Sequence, residues 1–153
     1  MTGHTAKVLW TARDGDDFLR GRYSRTHTLS FDGGTTVEGS PAAVNVPAPW
    51  SDAAAVDPEE MFVAALSACH MLWFLDFARR AGVTVTRYED DAVGTMADIG
   101  DGRLAVTRVA LRPLIASDAD AATLAALHEK AHHACFIANS VRTEIVVEPH
   151  PGT

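Results

Sequence analysis

Three kinds of residue in this chain have types and spacings that could do chemistry. HEKAHHAC, His128 to Cys135, contains H-E-x-x-H, in which two histidines at i and i+4 share a helix face to hold zinc and the glutamate between them acts as general base. The two cysteines, Cys69 in SACHMLWF and Cys135 at the end of HHAC, are the only thiols. A thiol needs a positive neighbour to react as a thiolate, and otherwise packs as a small inert hydrophobe. Arg22 and Arg25 of RYSRTH are the nearest unassigned cations on a segment read as a strand, and Glu59 stands ten residues before Cys69. Because Glu60 fills the helix-capping role, Glu59 is left to orient an arginine fork at the sulfur.

The zinc pattern lacks its third ligand. An extended zincin motif wants Gly at 135 and His at 138, where the chain has Cys135 and Ala138, and the short remainder reads as a strand carrying Glu144 and Glu148. A hydrolase using His128 and His132 is therefore the weaker alternative, and no metal is expected. His133 reads as solvated. His70 lies about 100° round the helix from Cys69, which suits an interior or pocket-lining histidine better than that cysteine's base.

The elements that position these residues follow from punctuation and periodicity. KVLWTAR, RYSRTHTLSF, the DGG turn at Asp32 to Gly34 and TTVEG give an N-terminal meander of three strands. Pro41, Pro47 and Pro49 make 40–56 an ordered loop. A helix follows at about 58–81, with Asp57 as N-cap, Pro58 in the first turn, Glu60 completing a capping box and Gly82 as the stop. Its middle, Met61 to Leu75, is apolar nearly all round, which predicts a core helix covered on several sides and, with so little sheet in one copy, an intimate dimer. VTVTRYEDDAVGTMAD and RLAVTRVALRPLIA around IGDG predict a hairpin of two long strands. A second helix starts near Ser117 or Asp118 and runs through AATLAALHEKAHHA, with Leu124, Leu127, Ala131 and Ala134 as its apolar stripe and Cys135 on or just beyond it. VRTEIVVEP is the last strand. The order is βββ-α-ββ-α-β, an α+β class, read as a single domain over 1–153.

Composition removes several function classes. Thirteen Lys and Arg against twenty Asp and Glu give a net charge of -7, with no basic run to follow a phosphate backbone, so nucleic acid is excluded as a partner. The N-terminus has no apolar stretch of the signal type, and Met61 to Leu75 is short for a bilayer span. A cytoplasmic protein with reduced cysteines and no membrane partner is expected.

Together DPEEMFVAALSACHMLWFL, YSRTH, the FDGG turn and HEKAHHACFIANS, whose cysteine comes 66 residues after Cys69, resemble the OsmC/Ohr family, and its OsmC-like branch more closely, from about residue 7 to 149. In that family an H-E-K-A-H-like run is the end of the second helix leading to the second cysteine, so the zincin match is accidental. The resemblance implies two core helices enclosed by sheets in an intertwined homodimer. It implies a cofactor-independent thiol peroxidase for organic or lipid hydroperoxides, re-reduced by a dithiol such as a dihydrolipoyl group. Carried over by position, Cys69 is the peroxidatic cysteine, Cys135 the resolving cysteine that closes a disulfide with it, Glu59 the positioning carboxylate and Arg25, or else Arg22, the cation. Leu66, His70, Leu72, Trp73 and Phe74 are expected to line an apolar substrate pocket, although each of them taken singly reads more readily as interior packing. The rival within the same fold is a non-catalytic module that binds an apolar ligand at the dimer interface. Two departures bear on how Cys135 is presented and on substrate size: Phe136 stands where many members have proline, and HMLWF is bulkier than usual.

Overall fold

The computed structural model describes residues 3–148, which fall into two compact units, one ending at Met61 and the other beginning at Phe62. The first holds an antiparallel meander of β1 (Ala6–Leu9), β2 (His27–Phe31) and β3 (Thr36–Gly39). Its turn is the expected one, with Gly34 at φ 85° and its N–H donating to the Phe31 carbonyl. Strand β2 is shorter than the sequence suggests. Arg22 to Thr26 lie ahead of it, because the Ser24 and Thr26 hydroxyls bond each other and the Arg25 N–H donates to the Trp50 carbonyl, so neither Arg22 nor Arg25 sits on a strand.

Helix α1 (Pro58–Arg80) starts in the first unit and runs on into the second. The capping box is present in full: the Glu60 N–H donates to Asp57 Oδ1 at 2.7 Å and the Asp57 N–H donates to Glu60 Oε2 at 3.0 Å. At the other end Val83 N–H donates to Ala78 O and Gly82 N–H to Arg79 O, with Gly82 at φ 75°, a left-handed C′ position that glycine takes without strain.

In the second unit the expected hairpin is four strands. β4 (Val85–Asp90) pairs with β7 (Pro113–Ser117), and β5 (Val93–Asp98) pairs with β6 (Leu104–Leu111), both antiparallel. Register carries across a corner, with Asp90 opposite Pro113 and Val93 opposite Ala110. Pro113 has no N–H to give, and the Arg112 N–H donates to Asp90 Oδ1 at 2.6 Å, so a side chain interrupts the ladder where the strands bend. β8 (Glu144–Val147) runs parallel to β6, which makes β6 central in its sheet and buries Val109, Ala110 and Leu111 in succession. β8 is shorter than the VRTEIVVEP reading, whose Pro149 lies outside the described residues.

Helix α2 (Ala121–Ala134) begins later than 117 or 118. Ser117 still pairs with Val85 and the Asp118 carboxylate accepts from the Thr84 N–H, which leaves Asp120 as N-cap, accepting from Thr123 N–H at 2.8 Å. Phe74 and Ala78 of α1 pack on Leu127 and Ala131 of α2, with Tyr88 and Ile115 beside them. Leu66 of α1 packs on Val109 and Leu111 of β6.

Within one chain α1 buries only the stripe Leu66, His70, Phe74 and Ala78. By length and composition the helix could cross a membrane, yet only 22% of its most apolar 18-residue stretch is buried. The all-round cover that the sequence suggests is absent from the single chain: Ala64, Ala65, Ala68 and Leu72 are exposed.

Candidate functional site

Two elements bring the thiols together. Cys69 lies mid-way along α1, half-buried, and Cys135 is the C-cap of α2, 1% exposed. Ending α2 on Cys135 turns the backbone out of the helix at φ -64°, ψ 112°, and the Ala138 N–H of the next turn donates to its sulfur at 3.4 Å. Burial pushes the Cys135 thiol up to about 11, helped by a hydrogen bond with the Cys69 side chain and opposed by the backbone donors at Ala138 and Ile137. A thiol raised in this way keeps its proton at neutral pH. Both cysteines are free.

The neighbouring aromatic residues split into interior and accessible groups. Leu66 and Phe74 are 1% and 0% exposed and belong to the core, with no surface to offer a substrate, which corrects their place in the expected pocket. His70, 1% exposed, is interior as well. Trp73 is half-buried, stacks on Phe77 and meets Phe136 edge-to-face, with ring centroids 5.3 Å apart. The residue standing at the usual proline position therefore seats an aromatic ring against α1, one place after the second cysteine. Leu72 and Phe136 are 63% and 68% exposed.

Polar side chains tie the helices to their surroundings. Ser67 donates a short hydrogen bond to Asp90, the carboxylate that also holds the hairpin corner. His70 Nε2 and His128 Nδ1 are 3.0 Å apart with rings stacked at 5.3 Å, and Phe74 lies on the His128 ring at 4.5 Å. Burial is the main cause that brings both histidines down to about 4; His128 and His132 add to it at His70, and Asp90 opposes it at His128. The sequence reading took His128 as a candidate zinc ligand and missed this pairing. The two positions are 58 residues apart and no spacing rule connects them. Such bonds from Ser67 and His70 to side chains of other elements anchor one side of α1 in the second unit.

His128 turns one ring nitrogen to His70, and among the described residues no group of three or more His, Cys, Asp or Glu could hold a metal ion. This leaves the H-E-x-x-H pattern without a coordination set.

In the first unit the Arg25 guanidinium donates to the Tyr23 carbonyl at 3.0 Å and the Gly21 carbonyl at 3.4 Å, and its carbon sits 4.2 Å from the Tyr23 ring centroid. It makes no ion pair with Glu59, which lies half-buried in the first turn of α1. Arg22 is exposed. The structure thus joins Cys69 to Cys135 and leaves Arg25 and Glu59 unpaired with each other.

No curated protein matches the chain. A structure of an OsmC-like protein of unknown function from Vibrio cholerae is 44% identical, with 97% of this chain and 99% of that one covered at a TM-score of 0.92. An organic hydroperoxide resistance protein OsmC from Legionella pneumophila shares the fold at 18% identity and a TM-score of 0.70, covering 98% of this chain and 96% of its own. One from Elizabethkingia anophelis does so at 21% and 0.70, covering 98% and 95%. The OsmC-like protein family model matches residues 51–150, the span that carries α1, the bent hairpin, α2 and both cysteines, and the chain therefore belongs to the OsmC-like family.

Proposed function

We propose that this chain is a cysteine-based peroxidase that reduces organic or lipid hydroperoxides to alcohols. The observation that carries the reading is the pair of free thiols, 66 residues apart in sequence, that α1 and the end of α2 bring close enough to interact. A buried thiol at Cys135 and a half-buried one at Cys69 match the roles of resolving thiol and nucleophile. Family membership and the organic hydroperoxide resistance proteins that share the fold support the same direction.

In the proposed cycle the Cys69 thiolate attacks the distal oxygen of ROOH. The O–O bond breaks, RO⁻ leaves and takes a proton to become the alcohol, and Cys69 is left as a sulfenic acid. Cys135 then attacks that sulfur, the S–O bond breaks, and water departs as the disulfide forms. A dithiol, dihydrolipoyl or similar, restores both thiols. Arg25 and Glu59 enter from the family resemblance, the guanidinium to stabilise the thiolate and the departing oxygen, the carboxylate to orient it. Half-buried Trp73 and exposed Phe136 are the apolar side chains that favour an organic tail.

A homodimer is part of the proposal, because the uncovered face of α1, Ala64, Ala65, Ala68 and Leu72, is apolar surface that a second copy would bury. So is a cytoplasmic location, which keeps both thiols reduced between turnovers. Replacing Cys69 by serine is expected to abolish hydroperoxide turnover; retained activity in that variant would overturn the reading.

One observation favours a second reading, a binding module. Alongside α2 runs a cavity of about 590 Å³ with Leu124, Ile115, Ile145 and Val147 in its walls. It is favoured if neither thiol reacts with a hydroperoxide at neutral pH.

A further inference from the structure

Two neutral imidazoles between α1 and α2, His70 buried and His128 half-buried, are bonded to one another, one ring N–H donating to the other's lone pair. His70 directly follows Cys69 on α1, and His128 lies two turns before Cys135 on α2. Phe74 stacks on the His128 ring, and His70 Nδ1 is buried without a hydrogen-bond partner. A group left half-satisfied inside a core is costly, so a geometry that keeps it is held for the one bond it does make. The placement is specific to the thiols. Cys135 is the C-cap of α2, so any slide of α2 along α1 changes the distance between the two sulfurs.

We propose that the His70–His128 bond is a positioning element for the second half of the reaction: it fixes α2 on α1 so that Cys135 reaches a Cys69 sulfenic acid. The inference rests on the roles given to the two cysteines above. Closing the disulfide is Cys69–SOH plus Cys135–SH giving Cys69–S–S–Cys135 plus water, and it requires the attacking sulfur to meet the other along a narrow approach. Forming the sulfenic acid makes no such demand on α2. Loss of the bond therefore slows resolution and leaves the first step unchanged.

The test treats reduced protein with one equivalent of cumene hydroperoxide in the presence of dimedone and reads, by intact mass, dimedone adduct on Cys69 against disulfide. Wild type should give mostly disulfide. His128→Leu should raise adduct relative to disulfide about tenfold, an effect of the size of one buried hydrogen bond, with the rate of peroxide consumption in the first turnover unchanged. His128→Asn, whose side-chain amide reaches where Nδ1 lies, should return the ratio toward wild type. Leu127→Ala, which removes core packing from the same turn and keeps both rings, should leave the ratio at the wild-type value. His70→Leu offers the same prediction from the other helix if His128→Leu does not fold. A wild-type ratio in folded His128→Leu or His70→Leu, or an equal shift in Leu127→Ala, overturns the positioning role. Wild-type protein that forms neither product overturns the peroxidase reading first.

Discussion

Acid should loosen this protein through His70 in a window that a single substitution can isolate. The ring is 1% exposed and titrates at about 4, against 6.5 for an ordinary histidine. Between those values the unfolded chain binds the proton and the folded chain refuses it. The contribution of the neutral ring is thus complete above pH 6.5 and is lost as pH falls toward 4. The full difference is about 3 kcal/mol, and about 2–3 kcal/mol of it is gone by about pH 4.5. His70→Gln keeps a polar atom near Nε2 but cannot titrate. Urea unfolding of both proteins at pH 7.5 and pH 4.5, at one protein concentration, should show the wild-type midpoint falling by roughly 1 M more than that of the variant. Carboxylates held below their usual range, Asp120 by its bond with Thr123 and Glu148 by Arg108 and Arg112, lose support on acidification too, but equally in both proteins. Parallel falls in the two midpoints would refute the argument that His70 is buried as a neutral ring.

Two further predictions follow from the fold. Asp120→Ala removes the side chain that accepts from Thr123 N–H and should cost about 1 kcal/mol in the same urea assay, with peroxide chemistry retained. Leu72→Glu puts a charge on the uncovered apolar face of α1; light scattering should show wild type at twice the chain mass and the variant shifted to a single copy.

How far the sequence could be read depended on whether a feature is local. Helix α1 was legible at both ends because Asp57, Pro58, Glu60 and Gly82 each carry a local rule, and the structure shows the corresponding bonds. The bend of the hairpin was not legible. The segments around IGDG are β-prone throughout, and the break comes from the Asp90 side chain bonding the Arg112 N–H across the ladder. The first turn of α2 was misplaced for a related reason, since Asp118 and Asp120 are both good caps and only the pairing of Ser117 with Val85 decides between them. At the site, the roles of the two cysteines came from the family resemblance, and their contact is a tertiary fact. His70 with His128 had no signal in spacing at all. Leu66 and Phe74 were read toward a pocket from their nearness to Cys69, whereas the i, i+4 stripe they form with His70 and Ala78 is the buried one.

The most direct test of the account is the intact mass of the reduced protein before and after one equivalent of cumene hydroperoxide, on wild type and on Cys135→Ser. The account predicts a rapid loss of two hydrogens in wild type and a gain of one oxygen in the variant, which would assign the first oxidation to Cys69 and resolution to Cys135. Unchanged mass in both proteins would contradict it.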